Sequence, residues 1–204
     1  TERLEAIGAP MPETWADLTN PAYKGELVMP DPGSSGTGYL QIAAILQGMG
    51  DEDGWQLIED IDPNMAQYTT SGSRPCRMAQ AGEYAVGASL SYVAMQGIEQ
   101  GYPIKMVIPS DYAGFELEAN GLMAASKNPE DAKRFLDWTM SDGASSAYAE
   151  RKDLVTIPGA PRPPQADAAG FPEDLAEVLY PMDFAKSGEE RDGIIKKWRE
   201  TVGR

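Results

Sequence analysis

At 204 residues the chain can build one sizeable core, or one and a half lobes of a larger architecture. Its composition is that of a globular protein, and no apolar run approaches the ~20 residues needed to span a bilayer. A formal charge of −15 argues against nucleic acid or an anionic membrane as partner, and any bound anion must be captured locally against a repulsive field.

Taken in chain order, Thr1–Gly8 reads as a helical fragment ahead of Pro10 and Pro12. Glu13–Leu18 begins a short helix stopped by Asn20-Pro21. Glu26–Met29 is a short apolar strand, followed by a helix over Thr37–Gly48 that packs through Leu40, Ala43, Ala44 and Leu46. A helix over Asp51–Ile61 buries Trp55, Leu57 and Ile58, and Ser71–Ala81 starts helical. Tyr84–Ala88 is a strand, Tyr92–Gln100 a helix, and Ile104–Ile108 a strand rich in β-branched residues. Leu117–Ala125 reads as a further strand. Asn128 and Pro129 then suit the N-cap and first position of a helix carrying Ala132, Phe135, Leu136 and Thr139 at helical spacing. Val155–Pro164 is proline-rich and extended, and Glu189–Val202 is an amphipathic helix with Ile194, Ile195, Trp198 and Val202 inward. This alternation predicts an α/β fold with a mostly parallel sheet flanked by helices, in which ligands gather beyond the carboxyl ends of strands.

Two runs carry the chemistry. Met29-Pro-Asp-Pro-Gly-Ser-Ser-Gly-Thr-Gly38 feeds a strand end into a helix, and Tyr68-Thr-Thr-Ser-Gly-Ser-Arg-Pro-Cys76 has the same character. Ser34, Ser35, Gly36 and Thr37 in the first, with Ser71, Gly72 and Ser73 in the second, offer hydroxyls and free N–H groups of the kind that attract anions at helix starts. Arg74 adds a fixed charge suited to bidentate contact with phosphate-like oxygens. Either run by itself reads equally well as a capped helix, and Arg74 as a surface ion-pair partner. No Lys follows the glycines of the first run, so it is not a nucleotide-hydrolysing phosphate loop. Without histidine there is no Ser-His-Asp triad and no His to activate Cys76, the one cysteine. Glu116 and Glu118 lie two apart, and on a strand they face one side, where they hold an amine or a metal or form a solvated face. No zinc or EF-hand spacing appears, and no cofactor is expected.

Thr1-Glu-Arg-Leu4, Pro12-Glu-Thr-Trp-Ala-Asp-Leu18, Tyr23-Lys-Gly25, the Met29–Gly38 run and Ala66-Gln-Tyr-Thr-Thr70 resemble periplasmic solute-binding proteins of bacterial ABC importers. Ser71-Gly-Ser-Arg-Pro-Cys76, Ala81-Gly-Glu83, Gly114–Ala119 and Lys127–Trp138 continue the likeness in order, over nearly the whole chain. The group is the ferric-iron-like one that includes organophosphate and phosphonate binders. The resemblance implies a type II periplasmic-binding-protein lobe and a non-enzymatic role: capture of a small anionic ligand for ABC permease subunits in the inner membrane. Ferric relatives carry adjacent tyrosines where this chain reads Ser89-Leu-Ser-Tyr92, which turns the expectation from iron towards phosphonates, 2-aminoethylphosphonate above all; sugar phosphates and iron are the alternatives. By resemblance, Ser35, Gly36, Thr37, Ser71, Ser73 and Arg74 grip the phosphonate and Tyr92 adds a hydroxyl or a wall. Charge logic makes Glu116 or Glu118 the partner of the ligand's amine. Family members normally begin with about another domain's length of chain. The expectation is therefore that residues 1–111 form the core of the second lobe, 112–150 return to the first lobe, and 151–204 cross back. A processed or truncated start and self-association through an exposed inter-lobe face complete the expectation.

Overall fold

Three short parallel strands organise the computed structural model, which describes residues 2–117, 119–150, 159, 161–174 and 177–202. Helix α1 (Glu2–Ile7) is followed by 3-10 turns at Ala16–Thr19 and Pro21–Tyr23, where the sequence predicts a short helix and its stop. Strand β1 (Leu27–Pro30) is buried along its whole length, as a run covered on both faces requires. Helices α2 (Gly36–Met49) and α3 (Asp51–Ile61) lead to β2 (Met65–Thr69), and α4 (Arg74–Gln80) leads to β3 (Val86–Gly87). The order in the sheet is β2-β1-β3 with both pairings parallel, the α/β architecture predicted from the alternation.

The core lies where α2, α3 and the last helix cover the sheet, and includes Tyr23, Leu27, Ile42, Ile45, Trp55, Ile58 and Trp198. Each such side chain contributes about 1.5–3 kcal/mol of burial. Two of the polar tips among them are hydrogen-bonded. Tyr23 donates its hydroxyl to the Pro10 carbonyl at 2.6 Å, and Trp198 donates Nε1–H to Asp31 Oδ2 at 3.1 Å.

Helices α5 (Ser91–Glu99), α6 (Pro129–Thr139), α7 (Asp142–Ala149), α8 (Pro164–Ala168) and α9 (Phe184–Thr201) complete the chain. Helix α9 starts earlier than predicted because Asp183 caps it, accepting from the Lys186 N–H at 2.9 Å. Its Ile195, Trp198 and the adjoining Val202 are buried as expected, with Ile194 half-buried.

Several expectations are corrected. Strand β2 and helices α7 and α8 were not anticipated, and β3 is two residues rather than five. Ile104–Ile108 is irregular: Pro103 and Pro109 bracket it, and no described strand lies beside it to supply a ladder, so its β-branched character has nothing to pair with. The described residues of 117–125 are likewise not strand; a turn closes there, with the Ser126 N–H donating to the Met123 carbonyl at 3.0 Å. Asn128 stands at the N-cap of α6, but its side chain accepts no hydrogen bond there. In the expected extended segment 155–164, residues 155–158 and 160 lie outside the described residues.

Candidate functional site

The loops after β1, β2 and β3 all emerge at the carboxyl edge of the sheet. After β1 the chain turns tightly: the Ser34 and Ser35 N–H groups both donate to the Asp31 carbonyl, at 3.2 and 2.9 Å. Ser35 is the N-cap of α2, extended at φ −130° and ψ 126°, and its Oγ accepts from the Gly38 N–H at 3.4 Å. Among the described residues the Gly36 and Thr37 N–H groups have no acceptor, as the first turn of a helix leaves them. Ser34 and Gly36 are exposed, Thr37 half-buried and Ser35 only 9% exposed.

After β2, Thr69 donates its hydroxyl to the Ser71 carbonyl at 2.9 Å, and the Ser71 and Ser73 hydroxyls lie 3.2 Å apart. These residues precede α4, which begins at Arg74 rather than at Ser71. Gly72 shows how the two turns meet. A Cβ placed there would overlap Thr37 Oγ1 and come within 2.8 Å of Thr37 Cβ and 3.4 Å of Ser35 Oγ. Two hydroxyl-bearing turns, separate in sequence, are thus in direct contact, and only a residue without a side chain fits between them. Arg74 is exposed, and among the described residues no carboxylate pairs with it, despite the excess of acidic groups. Cys76, two residues on, is buried, and that burial pushes its thiol up to about 11.

Glu116 arrives along α2. Gly36, Leu40, Ala44 and Gly48 recur every fourth residue and share one helix face. The segment 112–116 lies on that face, with the Tyr112 ring over Gly48 and Gly114 against Ala44, where a Cβ at Gly114 would come within 2.8 Å of the Ala44 Cβ. This seating leaves Glu116 Oε1 3.5 Å from the position a Cβ on Gly36 would take, beside the start of α2. The carboxylate is exposed and sits in irregular chain, not on the strand face expected for it, and its predicted companion Glu118 lies outside the described residues. Tyr92 is half-buried in the first turn of α5. Sequence reasoning missed Ser89, which donates its hydroxyl to the Gly72 carbonyl at 2.5 Å. Its one signal was a small hydroxyl residue directly after a predicted strand.

A parallel sheet whose carboxyl edge gathers such turns is a ligand-binding arrangement. The chain matches the family described as bacterial extracellular solute-binding protein over residues 2–186, and it belongs to that family. The periplasmic binding protein AfuA of Actinobacillus pleuropneumoniae, solved with exogenous fructose 6-phosphate bound, superposes with a TM-score of 0.90. The two are 32% identical, over 98% of this chain and 63% of that one. The spermidine/putrescine-binding periplasmic protein of Escherichia coli is 25% identical, over 98% of this chain and 55% of its own length. A ferric binding protein from Campylobacter jejuni, at 16% identity and a TM-score of 0.75 over 97% of this chain and 66% of that one, is alike in fold alone. The chain thus spans 55% to 66% of the length of these relatives. The family and these relatives are binding proteins rather than enzymes. No helix among the described residues is long and apolar enough to cross a membrane.

Proposed function

We propose that this chain belongs to the substrate-binding component of a bacterial ABC importer, working in the periplasm, which captures a small phosphonate or phosphate ester and delivers it to permease subunits in the inner membrane. The observation that carries this reading is the contact of Gly72 with Thr37 and Ser35, which joins two hydroxyl-bearing turns into one surface. Ser34, Ser35, Gly36 and Thr37 on one side, and Ser71, Gly72 and Ser73 on the other, hold the phosphorus-bound oxygens. Arg74 closes the grip with a charge that no described carboxylate neutralises. Tyr92 adds a hydroxyl or a wall. Glu116 or Glu118 accepts from an amine or a sugar hydroxyl at the ligand's other end.

The likeness to AfuA supports a sugar phosphate. The Ser71–Cys76 motif supports 2-aminoethylphosphonate, and the polyamine-binding relative is in keeping with a carboxylate that receives an amine. Iron is the weaker reading, because Ser89-Leu90-Ser91-Tyr92 offers one tyrosine where a phenolate pair is needed. Capture works by closure of two lobes, with no bond made or broken. Residues 1–111 form one lobe's core, 112–150 reach the other lobe, and 151–204 cross back. In support, Met123, Phe135 and Trp138 are 76%, 59% and 52% exposed, a patch of apolar surface that another lobe, or a second copy, would cover.

The test is a thermal-shift panel on the protein at its full natural length, with 2-aminoethylphosphonate, glucose 6-phosphate, inorganic phosphate and ferric citrate. A bound ligand raises the melting temperature by mass action. A phosphorus ligand is expected to raise it, and Arg74→Ala to erase the shift. A response to ferric citrate alone overturns the ligand class, and a shift that survives in Arg74→Ala overturns the role of Arg74.

A further inference from the structure

Strands β2 and β3 are not neighbours, because β1 lies between them. At the usual spacing of neighbouring strands their ends stand about 10 Å apart. Yet the loops that leave them meet. Ala88 is still held to β1, its N–H donating to the Val28 carbonyl at 2.9 Å, and the next residue, Ser89, reaches across the end of β1 to the Gly72 carbonyl at 2.5 Å. Among the described residues this is the one side chain from another strand's loop that hydrogen-bonds the backbone of the Ser71–Ser73 turn. The bond has two consequences. All described peptide bonds are trans, so fixing the Gly72 carbonyl on Ser89 points the Ser73 N–H the opposite way, and that N–H has no acceptor among the described residues. Gly72 is also the residue wedged against Thr37 and Ser35, so the same bond sets how closely the second turn lies on the first.

We infer that Ser89 is a positioning residue for anion capture: it touches no ligand itself, but orients the Gly72–Ser73 peptide and holds the two turns at the spacing that lets them share one oxyanion. The inference rests on the organophosphate reading of the site. Without the hydroxyl, the Gly72 peptide is free to rotate and the Ser73 N–H no longer presents to the ligand.

The experiment uses Ser89→Thr and Ser89→Val in the protein at its full natural length. The two replacements have the same shape, and only Thr keeps the hydroxyl. Binding of fructose 6-phosphate and of 2-aminoethylphosphonate is measured by calorimetry, and the Ser73 amide resonance is followed during each titration. For whichever probe the unmodified protein binds, Ser89→Thr is expected to stay within about threefold and Ser89→Val to weaken binding about tenfold or more. The ligand-induced shift of the Ser73 amide is expected in the Thr variant and absent in the Val variant. Equal binding and equal Ser73 shifts in the two variants overturn the positioning role while leaving the organophosphate reading intact. An unmodified protein that binds neither probe overturns that reading and this inference with it.

Discussion

Gly72→Ala tests the contact on which the site depends. The new Cβ would stand 2.8 Å from the Thr37 Cβ and 3.4 Å from the Ser35 Oγ. Carbon atoms pack at about 3.5–4.0 Å, so the first of these distances must open by roughly 0.7 Å. Rotation of the Thr37 side chain moves its Oγ1 aside but not its Cβ, which is fixed to the first turn of α2. One of the two turns must therefore shift. Forcing an extra carbon into a filled space costs about 1–3 kcal/mol. For a chain of this size each of those kcal/mol lowers the melting temperature by about 2–4 °C. The effect on binding is larger in proportion. A hydrogen bond lengthened by ~0.7 Å leaves the useful range, and one charged hydrogen bond contributes about 1.5–3 kcal/mol, so losing one weakens binding about tenfold or more. Thermal unfolding without ligand, and calorimetry with whichever phosphorus compound the unmodified protein binds, read the two effects separately. A Gly72→Ala protein with unchanged melting temperature and unchanged affinity would refute the contact between the turns.

Trp198→Phe removes the donor to Asp31 Oδ2 from a side chain that is 1% exposed. Loss of a hydrogen bond to a carboxylate costs about 1.5–3 kcal/mol, and a lower urea midpoint at unchanged m is expected; an unchanged midpoint counts against the bond. Arg3 hydrogen-bonds Glu26 at 2.7 and 2.9 Å and holds its carboxyl below the usual range, chiefly through that bond. A carboxyl depressed in the folded state stabilises above its unfolded value of about 4.3, and that stabilisation is lost as pH falls through the folded value. Arg3→Met should therefore be less stable than the unmodified protein at pH 6, with the gap closing below pH ~4; a gap constant from pH 3 to 7 sinks the assignment. Cys76, buried and pushed up to about 11, should be only about one part in a thousand thiolate at pH 8. Reaction with a disulfide reagent is then expected only on unfolding, and prompt reaction of the native protein contradicts the burial.

The fold was legible where order is local. The helices α2, α3, α5 and α6 were found within a residue or two because capping, glycine and apolar spacing are properties of neighbours in sequence. Strand β2 was not, because Met65-Ala-Gln-Tyr-Thr69 has no clean alternation, and its strand character comes from lying beside β1 in the register Met29↔Tyr68 and Pro30↔Thr69. The error at Ile104–Ile108 is the converse. That segment has the composition of a strand and no described partner, and composition without a ladder does not make one. Helix α6 was legible as a helix, but the direction of its apolar residues was not, since Phe135 and Trp138 face outward here and sequence spacing carries no information about what stands opposite.

The site divides the same way. Each turn was legible separately, because serine, threonine and glycine ahead of a helix mark a start that can hold an anion. Their contact was not, because it depends on strand order. With β1 in the centre, the loop after it, carrying Ser35 and Thr37, lies between the loops after β2 and β3, one strand spacing of about 4.8 Å from each. An order of β1-β2-β3 would keep the first and second turns adjacent but set Ser89 on the far side of the second. Gly72 would then be held between two flanking loops, whereas in the observed order Ser89 reaches it across the end of β1, from the same side as Thr37 and Ser35. A glycine at position 72 therefore has a meaning that its own neighbours in sequence do not reveal: it is the point over the central strand where all three loops converge, and the side chain it lacks is the space in which they meet.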